Sequence, residues 1–245
     1  MTTQETPTAP HGIKTVRIVK NLLEKNDSVA AANRLLLDMT GVLAINIIAG
    51  PGAGKTSLIV SAIQALRGQA RVGVIEGDIA GTIDTARVLA AGARDAVQIN
   101  TGGSCHLEAG MVRQALDELD LRALDLLFIE NVGNLICPTN WALGEQLKLC
   151  LLSAAEGHDK PIKYPEIFAV SDAIVLNKID LIELVDFDRA FFYESVRALN
   201  PHAPIFELSC RTGAGIADFR SWILEQRRKV HNPSTAPTER PHRSP

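Results

Sequence analysis

Residues 49–57 read AGPGAGKTS, Ala49 to Ser57. Ahead of them Leu43–Ile48 is an apolar run, the mark of a strand buried on both faces. Behind them Ser57–Leu66 carries Leu58, Ile59, Ala62, Ile63 and Leu66 on one helical side. A glycine-rich turn between a buried strand and a helix, ending in Lys-Thr, is a phosphate-binding P-loop. Gly50, Gly52 and Gly54, with Pro51 and Ala53 between them, can aim backbone N–H groups at phosphate oxygens. The helix that follows adds its N-terminal dipole. Lys55 is placed to reach the β- and γ-phosphates, and Thr56, beside Ser57, to offer its hydroxyl to Mg²⁺. The strict pattern begins with glycine, and this chain has Ala49; a methyl group fits there if φ is negative.

Along the rest of the chain, strands and helices alternate. Strands are expected over Arg71–Glu76, Ala96–Ile99, Leu124–Ile129, Leu147–Leu152, Ala173–Leu176 and Ile205–Leu208. Helices are expected over Ile83–Ala91, Leu107–Leu119, Tyr164–Val170, Phe187–Leu199 and Ile216–Val230. The fold class is therefore α/β: a P-loop NTPase with a mainly parallel sheet flanked by helices. A helical extension over residues 13–40 precedes it, with Asn26-Asp27-Ser28 as a possible kink and Gly41 as its end. The nucleotide-binding domain is expected over 41–230. Residues 1–12 are polar and Pro/Thr-rich and are expected to be a disordered arm, as is the tail over 231–245.

The 245 residues suffice for one sizeable core, and 46 % hydrophobic with 22 % charged content is ordinary for a globular chain. A net charge of −3 gives no electrostatic footprint for nucleic acid or an anionic membrane. No apolar run approaches the roughly 20 residues of a membrane span. The start, MTTQETPTAPHG, has no basic n-region and no apolar core, so a cytoplasmic protein is expected. In that compartment Cys105, Cys137, Cys150 and Cys210 are expected as free thiols or metal ligands.

Acids stand where a nucleotide-bound Mg²⁺ needs them. Glu76-Gly77-Asp78 ends the second strand, and Glu130 ends LDLLFIE. Thr56, Asp78 and Glu130 are the candidate Mg²⁺ residues. Lys55 is the candidate catalytic cation. Asp78, and after it Glu76, is the candidate for orienting the attacking water, and no arginine finger stands out. Gly133, in ENVG, is placed to donate its N–H to a γ-phosphate and so to sense its loss.

LNKIDL, Leu176 to Leu181, follows a buried strand. Its Asn177-Lys178-x-Asp180 fits guanine: the carboxylate accepts from N1–H and the 2-amino group, which adenine lacks. The stem of Lys178 can lie over the base. Ser209-Cys210-Arg211 follows the last strand, where a loop backbone could meet guanine O6. GTP is therefore the expected nucleotide.

Two thiols remain. Cys105 lies beside His106 at the start of an expected helix, where a thiolate is favoured. Cys137 lies just past ENVG, in FIENVGNLICP. Cys and His together suit borderline metals such as Zn²⁺ or Ni²⁺. Spacing alone leaves open two small buried thiols and a hydrogen-bonded histidine. Cys150 reads as core and Cys210 as part of the base loop.

The chain closely resembles the hydrogenase maturation GTPases of the HypB family, over roughly Val16 to Gln226. The resemblance rests on LLEKNDSVAAANR, PGAGKT, VIEGD, NTGGSCHLEAGMV, FIENVGNLICP, EGHDKPIKYPEIF, LNKIDL and LSCRTGAG. ENVGNLICP and the Cys-His pair are the most specific of these. The family tolerates residues other than glycine at the position of Ala49. The resemblance implies slow GTP hydrolysis and a nickel or zinc site at a homodimer interface that GTP favours. The implied ligands are Cys105, His106 and Cys137. It also implies a HypA-type nickel chaperone and the large subunit of a nickel-iron hydrogenase as partners. Some family members carry an N-terminal cysteine motif or a histidine-rich store. This chain has no cysteine before Cys105 and only His11 in its arm, so no high-affinity N-terminal nickel site is expected, and His231 and His242 are too sparse for a store.

Three other functions fit parts of the pattern. A GTPase serving another nickel enzyme, such as urease, shares the P-loop and the NKxD logic but not ENVGNLICP. A GTP-switched docking module would bind metal only adventitiously. A small-molecule kinase would need an acceptor site that the sequence does not provide.

Overall fold

The structure is a computed structural model and describes residues 18–78 and 83–231. In chain order the elements are α1 (Ile18–Thr40), β1 (Leu43–Ala49), α2 (Lys55–Ala65), β2 (Val72–Asp78), α3 (Ile83–Ala91), β3 (Asp95–Asn100), α4 (Ala109–Glu118) and β4 (Leu126–Glu130). Then follow β5 (Leu147–Ser153), α5 (Lys160–Lys163), α6 (Pro165–Val170), β6 (Ala173–Asn177), α7 (Arg189–Leu199), β7 (Ile205–Glu207) and α8 (Ile216–His231). The strands form one sheet in the order β3-β2-β4-β1-β5-β6-β7, and each pairing is parallel. The segment Leu147–Leu152, whose pattern is ambiguous but favours a strand, is a strand beside β1.

Alternation along β1 splits the core into two faces. Leu43, Ile45, Ile47 and Ala49 pack with α2 and α8 on one side. Ala44 faces a second cluster under α4, and Ile48 a third under α6 and α7. Each fully buried large side chain, such as Phe128 or Phe168, contributes about 1.5–3 kcal/mol by leaving water. The run is not wholly apolar: Asn46 sits mid-strand and is fully buried.

Helix α1 packs along α4. The expected kink at Asn26 is absent, and the helix is continuous. Asn26 turns inward instead: its Nδ2 donates to Ala142 O at 2.8 Å, and its Oδ1 accepts from Ala109 N at 2.8 Å. Asn33, two turns on and so on the same face, donates to Ala109 O and Leu143 O, each at 2.9 Å. Gly144 lets the 142–145 loop lie on α1; its φ is +103°, and a Cβ there would come within 2.5 Å of Asn33 Cβ.

Helix α4 starts later than expected because Glu108 is extended, with φ −109° and ψ 155°, which leaves Leu107 and Glu108 outside it. Asn26 accepts the Ala109 N–H, one of the donors that a helix start leaves without an intrahelical partner. His231 is the last residue of α8, not part of a tail. The expected arm over 1–12 and the tail beyond His231, with His11 and His242, lie outside the described residues.

Candidate functional site

The P-loop connects β1 to α2 at the carboxyl edge of the sheet. Gly54 must be glycine on two counts. Its φ is +102°, and a Cβ would lie 2.6 Å from Asn177 Nδ2. The loop closes over a cavity of about 410 Å³ lined by Pro51, Gly52, Gly54, Lys55, Thr56, Ser57, Glu76, Asp78, Glu130 and Gly133. Gly133 packs so closely on Pro51 that a Cβ would meet three of its atoms at 3.2 Å. The expected γ-phosphate sensor therefore touches the P-loop itself.

Thr56 Oγ1 donates to Glu130 Oε1 at 3.2 Å, and Lys55 Nζ lies 3.9 Å from the same oxygen. Glu76 and Glu130 are register partners on adjacent strands. Thr85 Oγ1 donates to Glu76 Oε2 at 2.8 Å, beside the Gln98 amide. Burial pushes the Glu76 carboxyl up to about 6. It pushes Glu130 up to about 7, against the pull of Lys55. Glu76 Oε1 and Glu130 Oε2 are buried with no hydrogen-bond partner. Two orphaned carboxylate oxygens beside a threonine hydroxyl fit a hard divalent cation such as Mg²⁺. Asp78 is exposed at the rim of the same cavity. Arg87, which the sequence did not single out, also lines it, paired with Asp84 at 2.8 Å.

A second cavity of about 280 Å³ adjoins the first through Gly54 and Ser57; Asn177, Lys178, Asp180, Ser209, Cys210 and Arg211 line it. Asn177 braces it. Its Nδ2 donates to Ala53 O at 3.0 Å, and its Oδ1 accepts from Lys178 N at 2.7 Å and Cys210 N at 3.3 Å. Lys178 has φ +60°, the one non-glycine residue in the left-handed region among those described. Its Nζ donates to Gly52 O at 2.7 Å, which stretches the stem across the pocket. Asp180 Oδ1 accepts from Ser209 Oγ at 2.5 Å. Arg211 is 83 % exposed and stays 3.9 Å from Asp180 Oδ2, so it contributes little fixed charge. Burial raises the Cys210 thiol.

The third group lies on the other side of β4. Cys105, His106 and Cys137 each bring a ligand atom to within 4.8 Å of the others. His106 Nδ1 is 3.5 Å from Cys105 Sγ. The ring lies on Trp141, centroids 4.5 Å apart, with Nε2 buried and unpartnered. Burial lowers the His106 pKa, which favours the neutral, metal-binding imidazole. Asn134 ties the two ligand loops by donating to Cys105 O at 3.4 Å. The helix-end thiolate is not found. α4 starts at Ala109, and the hydrogen bond with Cys137 raises the Cys105 thiol. Trp141 carries no sequence signal, because an aromatic past a loop has no ligand chemistry to flag it. Cys150 is fully buried core, its thiol raised by burial.

Residues 43–207 match the family of the CobW/HypB/UreG nucleotide-binding domain. Hydrogenase maturation factor HypB of Rhizobium leguminosarum bv. viciae is 45 % identical over 208 residues, 85 % of this chain and 69 % of that protein. The chain belongs to the HypB family. Hydrogenase/urease maturation factor HypB of Helicobacter pylori is 37 % identical over 220 residues, 88 % of this chain and 90 % of that protein. The crystal structure of HypB from Helicobacter pylori in complex with nickel superposes with a TM-score of 0.80 at 36 % identity, covering 88 % of this chain and 99 % of that one. The HypB-like fold and the P-loop NTPase architecture expected from the sequence are thus present. No helix among the described residues is long and apolar enough to cross a membrane.

Proposed function

We propose that this chain is a GTP-hydrolysing nickel carrier that serves the maturation of nickel-iron hydrogenase. The observation that carries the reading is the position of Cys137. It lies on the same segment as Glu130 and Gly133, which line the phosphate cavity, yet its thiol meets Cys105 and His106. A change at the γ-phosphate would reach one metal ligand through a few residues of backbone.

In this reading Asp180 selects guanine, with Lys178 across the base and Asn177 holding the P-loop and the Ser209-Cys210-Arg211 loop together. The P-loop N–H groups and Lys55 stabilise charge on the transferring phosphate. Thr56 and Glu130, with Asp78 and Glu76 beside them, would hold Mg²⁺, which supplies electrostatic stabilisation of the phosphate oxygens. Asp78, at the rim, orients water. Nickel is the cargo, held by two soft thiolates and an imidazole, a donor set that also takes Zn²⁺. Nucleotide state and metal affinity are linked free energies, each altering the other. A GTP-favoured homodimer, a HypA-type donor, a hydrogenase large subunit as acceptor and a cytoplasmic setting complete the proposal. The Helicobacter pylori relative carries urease in its name as well as hydrogenase, which favours urease as a second client class.

The test is a nickel titration of metal-free protein, with GDP and with a non-hydrolysable GTP analogue. Affinity or stoichiometry that differs between the two, and collapses in Cys137→Ala, is expected. Identical titrations indifferent to Cys137 would leave a GTP-switched docking module with structural thiols.

A further inference from the structure

A buried polar chain joins the two sites. Glu130 and Asn131 are consecutive at the carboxyl end of β4, so their side chains leave opposite faces of the sheet. Glu130 points to the P-loop side, where it meets Thr56 and Lys55. Asn131 points to the side of the thiols and is fully buried. Its Oδ1 accepts from Leu107 N at 3.1 Å and from Val132 N at 3.0 Å. Leu107 follows His106, and Val132 precedes Gly133. One oxygen therefore holds a backbone N–H from each loop, the metal loop and the γ-phosphate segment. Its own N–H closes the ladder on Ile47 O at 3.1 Å.

The chain continues beneath the site. Asn131 Nδ2 donates to Asn46 Oδ1 at 3.3 Å, and Asn46 Nδ2 donates to Glu145 Oε1 at 3.2 Å. Lys148 Nζ lies 3.9 Å from that carboxylate oxygen and donates to Thr139 O at 2.8 Å, in the turn that begins at Cys137. Both ligand-bearing loops are thus fastened to one strand end. Polar groups this deep are costly without partners, and losing one partner strands the others.

We propose that Asn131 is the positioning residue through which the nucleotide pocket sets the geometry of Cys105, His106 and Cys137. Any shift of the 130–133 backbone toward a γ-phosphate moves the Oδ1 that holds Leu107. The inference rests on the nickel-carrier reading above and names its conduit. The Asn131 side chain is bonded to Leu107, Val132 and Asn46, so it acts on where the ligand-bearing backbone sits in each nucleotide state.

The experiment is the same pair of nickel titrations on the full chain, run on wild type, Asn131→Leu and Asn131→Asp. Wild type is expected to show an affinity ratio between nucleotide states in the range of about 5–150-fold typical of coupled sites. Asn131→Leu, similar in volume but without the oxygen, is expected to bring that ratio to one while nickel still binds. Asn131→Asp, which keeps an acceptor for Leu107 and Val132, is expected to retain it. A purely structural role would lower stability without erasing the ratio. A wild-type ratio that persists in Asn131→Leu, or is lost equally in Asn131→Asp, overturns the inference alone. A wild-type ratio of one overturns the linkage reading itself. Should Asn131→Leu fail to fold, the metal-free wild type decides. The Leu107 amide and Asn131 side-chain resonances must shift when GDP is replaced by the GTP analogue, and unshifted resonances overturn the proposal.

Discussion

Replacing Glu130 by Gln is expected to make the nucleotide-free protein more stable at alkaline pH. Glu130 is 8 % exposed and has one oxygen without a hydrogen-bond partner. Burial raises its carboxyl from 4.5 to about 7, with Lys55 opposing. The folded state therefore holds this proton more tightly than the unfolded chain does. A group raised in this way contributes stability that is present below 4.5 and is lost as pH climbs through about 7. Between pH 4.5 and pH 8 the loss amounts to about 3 kcal/mol. Glutamine keeps an oxygen for Thr56 Oγ1 and carries no charge at any pH, so Glu130→Gln escapes the loss. For a chain of this size about 3 kcal/mol is roughly 6–12 °C in Tm.

The assay is urea or thermal unfolding in EDTA, without nucleotide, at pH 4.5 and pH 8. The two proteins should be close at the acid end and separate at the alkaline end, with the variant higher. Asp125, held at about 2 by Arg71, contributes equally to both and drops out of the comparison. The variant should lose Mg²⁺-dependent nucleotide affinity while gaining stability. A Glu130→Gln protein no more stable than wild type at pH 8 would refute the claim that the pocket holds an unsatisfied carboxylate.

Further outcomes follow from other contacts. On the proposed reading of Asp180 as the guanine acceptor, Asp180→Asn forfeits two hydrogen bonds to a charged acceptor, about 3–6 kcal/mol. GTP affinity should fall by about 10²–10⁴-fold and xanthosine triphosphate affinity rise, measured by competition with a fluorescent analogue. Asn33→Ala strips two buried carbonyls of their donor and should cost about 2–4 kcal/mol in urea unfolding. With Trp222 replaced by Phe, Trp141 is the one tryptophan left, and nickel should quench its fluorescence through the adjacent His106. Trp141→Ala removes a ring contact worth about 0.5–1.5 kcal/mol and should weaken nickel binding by up to about tenfold.

Much of the site could be read in advance because its chemistry is local. Gly54-Lys55-Thr56 and Asn177-Lys178-x-Asp180 are short strings whose spacing is their function, and each follows a strand that its apolar run announces. The differences at α1 and α4 come from contacts distant in sequence. Asn26 looked like a helix breaker because asparagine favours caps and turns; in the fold it caps another helix, its partners 83 and 116 residues away. The late start of α4, and with it the loss of helix-end assistance to Cys105, goes with an extended Glu108 and with a Leu107 N–H bonded to Asn131, 24 residues away. Asn46 did leave a trace: an amide inside a strand buried on both faces must find partners, and the run announces the need without naming Asn131 or Glu145.

Helix α1 consequently belongs to the scaffold of the thiol site. Ala109 is gripped at both polar groups, its N–H by Asn26 and its carbonyl by Asn33, and it stands three residues past His106. The same two asparagines hold Ala142 and Leu143, which flank Trp141 on one side, the ring under His106. Both walls of the site are thereby referred to one rigid helix, and their remaining freedom lies toward the strand end at Asn131. A loop anchored at one end to a helix and at the other to a strand beside the phosphates is placed to follow that strand end. This geometry lets a small displacement at Gly133 appear as a change at the thiols rather than dissipate in a flexible loop.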